Sequence, residues 1–181
     1  MTIATFDQLR ASSPHGDSLR LDELRKSLAD KNLFLSHSLT DLAPAKAAVN
    51  LLERHGASVY LDIQDASLQS RTPRDIANTL RNAIRSCRRL VVVVTENTQT
   101  SRWIPWEMGI ADADVGELRV ALLPTRPNLF SAADWSDQAY FTLYARIEPA
   151  NADPNPTWLV RTSSGQWISL AEWITTTRPG R

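Results

Sequence analysis

The sequence predicts an α/β domain built on a parallel sheet. Three observations carry that reading. Short apolar runs recur along the chain, at 33–35, 59–61, 90–94 and 119–123. Between them lie stretches whose apolar residues repeat at helical spacing, such as Leu42, Ala45, Val49 and Leu52. Helix starts and stops punctuate the boundaries: Pro73 and Pro105 suit a first turn, and His55-Gly56 suits a last one. Strands alternating with helices require right-handed crossovers, and hence parallel pairing.

The elements follow in order. Residues 1–31 read as a polar, partly helical N-terminal extension, with Leu21, Leu24 and Leu28 on one stripe. Leu33-Phe-Leu-Ser-His-Ser38 is a buried strand ending in small polar groups, and Asp41 opens the next helix as its cap. Val59-Tyr-Leu61 is the second strand, ending at Asp62. The polar loop from Ile63 to Thr72 is long for a strand-to-helix connection, and long loops in compact domains are usually functional or mobile. The helix from Pro73 carries Ile76, Leu80, Ala83, Ile84 and Cys87 inward, leaving Arg81, Arg85, Arg88 and Arg89 on a solvated face. Leu90–Val94 is the third strand. A fourth, Arg119–Leu123, is stopped by Pro124 and Pro127, and Tyr140–Ile147 is a fifth. Pro149, Pro154 and Pro156 then mark a linker. Trp158–Val160 and Gln166–Ile168 flank Ser-Ser-Gly as a hairpin, and Ser169 with Glu172 caps a last helix. Three tryptophans in this tail imply that it packs back on the domain. The expected layout is a flavodoxin-like three-layer fold with five parallel strands and the small hairpin and helix appended. The divisions are 1–31, 32–148 and 149–181.

Composition narrows the function. The chain has 181 residues, 43% hydrophobic and 22% charged, with a formal net charge of +0. That balance disfavours a dedicated nucleic-acid or anionic-membrane binder. One cysteine excludes an intrachain disulfide and a Cys-rich zinc site, and no metal centre is expected. No signal segment or membrane-length apolar run is visible, so a cytoplasmic protein is expected. No Gly-x-Gly-x-x-Gly and no P-loop occur.

The chemistry concentrates in Ser101-Arg-Trp-Ile-Pro-Trp-Glu107, where Ser101 suits the cap of a helix. Trp103 and Glu107 lie four apart and share a helix face, beyond the carboxyl end of the third strand. Open α/β sheets bind ligands there. Taken alone, Glu107 is equally a first-turn acid favoured by the helix dipole, and Trp103 is core. His37 and Asp62, at strand ends, read alone as a structural histidine and a turn residue.

Together, Phe34-Leu-Ser-His37 with Asp41, Val59-Tyr-Leu-Asp62, the long loop, Arg89–Val94 and Ser101–Ala111 resemble a bacterial TIR (Toll/interleukin-1 receptor) domain over residues 32–147. The loop after Asp62 departs from the family pattern in having no glycine before its helix. The resemblance implies the strand order 2-1-3-4-5. It implies NAD⁺ cleavage by Glu107, with Ser36, His37, Asp62 and Trp103 lining the nucleotide cleft. NAD⁺ is then substrate, and no cofactor is expected. It implies self-association through loop 63–72, and it likens the chain to the sensor component of Thoeris anti-phage systems, with a phage-derived trigger, an ADP-ribose-derived cyclic signal, and a separate effector protein. A non-catalytic TIR–TIR adaptor and a nucleoside deoxyribosyltransferase-like enzyme are the competing readings.

Overall fold

The computed structural model describes residues 2–11, 28–61, 72–101, 103–115, 119–131 and 142–176. Its strands are β1 (Ala4–Thr5), β2 (Leu33–Ser36), β3 (Val59–Leu61), β4 (Arg89–Val94), β5 (Val120–Arg126), β6 (Ala145–Pro149), β7 (Trp158–Arg161) and β8 (Trp167–Ser169). Its helices are α1 (Phe6–Ala11), α2 (Leu42–Arg54), α3 (Pro73–Ser86), α4 (Ile104–Val115) and α5 (Leu170–Thr175).

Strands β2 to β6 pair in parallel in the order β3-β2-β4-β5-β6, which is the expected 2-1-3-4-5. The sheet is larger than expected, with eight strands among the described residues. The hairpin β7–β8 continues it, antiparallel to β6. The linker expected from Pro149 is in part ladder, because Pro149 pairs with Trp158. The fifth parallel strand lies at Ala145–Pro149, later than the Tyr140–Ile147 expected.

β5 does not stop at Pro124 but runs to Arg126. On one flank β6 pairs residues 121–122, and β1 pairs residues 125–126. Pro124 falls in the gap between those partners, where a missing N–H breaks least of the ladder. Strand β1 has only two residues, too few to show a period. A reciprocal capping box fastens the helix after it: Thr5 N–H donates to Gln8 Oε1 (3.0 Å), and Gln8 N–H donates to Thr5 Oγ1 (3.2 Å). The stripe through Leu21 and Leu24 lies outside the described residues.

Two cores flank the sheet, since successive strand residues face opposite sides. Leu33, Leu35, Val91, Val93 and Leu123 pack with α2, Leu9 of α1 and Trp173 of α5. Phe34, Leu90, Val92, Val94 and Leu122 pack with Leu80 and Ile84 of α3 and Ile104 and Met108 of α4. Cys87 belongs to this second core, and burial pushes its thiol up to about 12. Gly56 ends α2 at φ +94°, a conformation that favours glycine. Thr72 caps α3 by accepting from Asp75 N–H, with Pro73 in the first turn.

Arg89 corrects the expected solvated arginine face. It is 5% exposed. Its guanidinium lies 4.6 Å from the Trp173 ring centroid and donates to the Thr176 carbonyl at 2.8 Å. The residues that receive it come from the far end of the chain. Among the described residues no helix is long and apolar enough to cross a membrane.

Candidate active site at the carboxyl end of β2 and β4

Helix α4 explains the site. Its buried residues Ile104, Met108 and Ala111 form a stripe toward the sheet, and Glu107 stands within that stripe at 3% exposure. An acid in a core-facing stripe is costly unless hydrogen-bonded. Ser36 meets that need: two residues beyond Phe34, it points to the same side of the sheet, and its hydroxyl donates to Glu107 Oε2.

The entry to α4 is built locally. Ser101 accepts from Ile104 N–H at 3.3 Å, as expected of a cap, and Pro105 falls in the first turn. Glu107 N–H donates to Trp103 O at 2.9 Å, so Trp103 stands one turn before the acid. The Trp103 ring packs edge-on against Trp106, with centroids 5.5 Å apart at 79°. Arg81 of α3 lies over Trp106 at 5.6 Å, a stack that holds the Trp103 side of the site.

Between β2 and α4 lies a cavity of about 290 Å³, lined by His37, Ser38 and Leu39 on one wall and Thr100, Ser101, Trp103 and Glu107 on the other. Three of the expected site residues, His37, Trp103 and Glu107, therefore meet in one space. Ser36 is 1% exposed and stands behind the wall, bonded to the acid. Asp62 lies outside the described residues, as does the loop to Arg71.

Burial lowers the His37 imidazole from 6.5 to about 4, against the opposing pull of Asp41, so the ring is neutral at neutral pH. Its Nδ1 is buried without a hydrogen-bond partner among the described residues. Asp41 is not the helix cap expected, since its side chain makes no cap bond. Instead Oδ2 accepts from the Thr95 hydroxyl and Oδ1 from Asn97 Nδ2 at 2.7 Å. Thr95 and Asn97 escaped the sequence reading because they are 54 and 56 residues from Asp41. Leu39, Thr100 and Ser101 reach the cavity only through the fold, and nothing in their spacing marks them.

Comparison with known proteins adds two findings. A family model described as TIR domain matches residues 33–173. The chain is 31% identical, over 154 residues, to the probable 3′ cyclic ADP-D-ribose synthase ThsB′ of Bacillus cereus (strain MSX-D12). That alignment covers 80% of this chain and 78% of the relative.

Proposed function

This chain belongs to the TIR domain family, and on that premise we propose that it cleaves NAD⁺ at the nicotinamide–ribose bond with Glu107 as the catalytic carboxylate. The observation that carries the reading is Glu107 itself, a buried acid in the sheet-facing stripe of α4 that reaches a cavity walled by Trp103.

The chemistry suits one carboxylate. The C1′–N bond breaks with its electron pair going to the pyridinium, and nicotinamide leaves neutral. No general acid is needed for the leaving group, so the paired acids of ordinary glycoside cleavage reduce to one. Glu107 stabilises the positive charge that develops on the ribose and accepts from its hydroxyls. Ser36 orients the acid through Oε2. Trp103 excludes water from the same wall. His37, neutral, lines the same cavity.

We infer further that the product is a cyclic ADP-ribose isomer. The name of the Bacillus relative supports this, and so does the aromatic wall. With water excluded, the adenine or a ribose hydroxyl of the same molecule attacks C1′ and closes the ring, a hydroxyl's proton passing to the Glu107 carboxylate. Such a product is a diffusible signal, in keeping with a Thoeris-type role in which a separate effector responds. Assembly through loop 63–72 and a phage-derived trigger complete that proposal.

The test is incubation of the purified protein with NAD⁺, and mass spectrometry of the products, beside Glu107→Gln. Nicotinamide release with a cyclic product, lost in the variant, supports the reading. Nicotinamide with linear ADP-ribose alone removes the cyclase. Intact NAD⁺ at high protein concentration removes the enzyme in favour of an adaptor, and turnover only of deoxynucleosides favours a deoxyribosyltransferase-like activity.

A further inference from the structure

The two walls of the cavity are not held together by backbone pairing. The β2–β4 ladder ends at Ser36 opposite Val92, and both walls lie beyond it. Asp41 spans that gap. Its N–H donates to the carbonyl of Ser38, a residue of the first wall, at 2.8 Å. Its carboxylate, in a residue only 4% exposed, accepts from Thr95 and Asn97 at the start of the connection that builds the second wall.

That connection is wound tightly. Thr95 accepts from Asn97 N–H at 3.1 Å while its hydroxyl hydrogen goes to Asp41. Thr95 N–H donates to the Thr98 hydroxyl at 2.8 Å. Thr100 Oγ1 donates to Asn97 O at 3.0 Å, and Ser101 N–H donates to Thr98 O at 3.1 Å. Ser101 then caps α4, which carries Glu107. A continuous path of hydrogen bonds therefore runs from Ser38 through one carboxylate to the helix of the acid. A buried carboxylate is expensive, and this one is not used on its own helix. Charge-assisted bonds are the stronger kind, and their geometry is demanding.

We propose that Asp41 is a positioning residue, whose carboxylate ties the 95–101 connection to the end of β2 and so sets the separation of Trp103 and Glu107 from His37 across the cavity. Its kinetic consequence rests on the NAD⁺-cleaving reading, whereas the tie itself does not.

The experiment exchanges donor and acceptor. Asp41→Asn leaves one acceptor oxygen for two donors, so the bond from Thr95 or the bond from Asn97 is lost. Adding Asn97→Asp to the same chain lets the new amide donate to the carboxylate at 97 while its oxygen accepts from Thr95, so both bonds return. Asn97→Ala, at a half-buried position, removes one arm of the tie and leaves Thr95 in place, so it keeps the test open if Asp41→Asn folds poorly. Each single variant is expected to lose about ten- to a hundredfold in kcat, as misplacement of a catalytic group does, with a smaller change in KM. The double variant is expected to recover most of that loss, the signature of a coupled pair. Amide hydrogen exchange at Thr98, Ser101 and Ile104 should quicken in the single variants and slow again in the double. Wild-type kcat in folded Asp41→Asn and Asn97→Ala, or a double variant no better than Asp41→Asn, overturns the proposal. If the wild type leaves NAD⁺ intact, the cleavage reading fails separately, and the exchange pattern alone then supports or overturns the tie.

Discussion

At the amino end of β4 the sheet buries Arg89; beyond the carboxyl ends of β2 and β4 it buries Glu107. The two residues are 5% and 3% exposed. Arg89 is closed in by the Trp173 face and the Thr176 carbonyl, and burial lowers its guanidinium to about 10. Glu107 is bonded from behind by Ser36, yet it helps line a cavity of about 290 Å³ shared with the His37 imidazole. Both ends bear the cost of burying charge. At the amino end the arrangement locks α5 onto the sheet. At the carboxyl end the acid is held from behind and still lines a cavity, as a group that meets a ligand must.

If that contrast is right, substitutions at the two ends separate activity from stability. The largest effect is expected from Glu107→Gln. It keeps an acceptor for Ser36 but removes the charge, so NAD⁺ turnover should fall at least about a hundredfold, as when a stabiliser of transition-state charge is removed. Thermal unfolding should stay near wild type. Loss of fold in this variant would make Glu107 structural and erase the contrast.

Trp173→Ala should do the reverse. Removing a buried indole costs about 3–5 kcal/mol, and here it also uncovers Arg89. Urea unfolding would read the loss, while turnover per folded molecule should be unchanged. A large drop in turnover without destabilisation would mean that the amino-end seam serves the site.

A smaller effect is expected from pH. His37 titrates near 4 in the fold against 6.5 when unfolded. Between those values the unfolded chain holds the extra proton, so the His37 contribution makes stability rise with pH across this window and fall as pH drops from 6.5 to 4. Above 6.5 and below 4 it is level. Urea midpoints across the window should show a steeper slope for wild type than for His37→Gln. Equal slopes would mean that the ring is not buried as described.

The smallest effect is expected from Trp167→Ala. This residue sits on the edge strand β8, 48% exposed, with Arg161 over its ring. Its loss should move stability by no more than about 0.5 kcal/mol. Comparison with Trp173→Ala by the same unfolding assay asks whether burial, rather than the cation–π pair that both tryptophans make, holds the C-terminal segment.

Part of this molecule was legible residue by residue. The apolar runs of β2, β3 and β4, the Pro73 start of α3, the Gly56 stop of α2 and the cap at Ser101 are local signals, so the parallel pairing and the place of Glu107 beyond a strand's carboxyl end followed from them, while the strand order came from the family resemblance. Thr5-Phe-Asp-Gln8 also carried a capping signature that the reading passed over. What could not be read is the pairing of distant polar groups. Asp41 looked like a cap because an Asp before a helix usually is one. Arg89 looked solvated because the ring that receives it lies 84 residues further on.

The sequence by itself determined which segments become strands and helices, and which face of each is apolar, because those depend on spacing within a few residues. Only the tertiary structure decided that Ser36 would serve Glu107 across 71 residues, that Asp41 would join two loops, and that β1 and β7–β8 would enlarge the sheet to eight strands. A buried polar group must find its partner wherever the fold brings one within hydrogen-bond reach, and that distance is set by packing rather than by position along the chain.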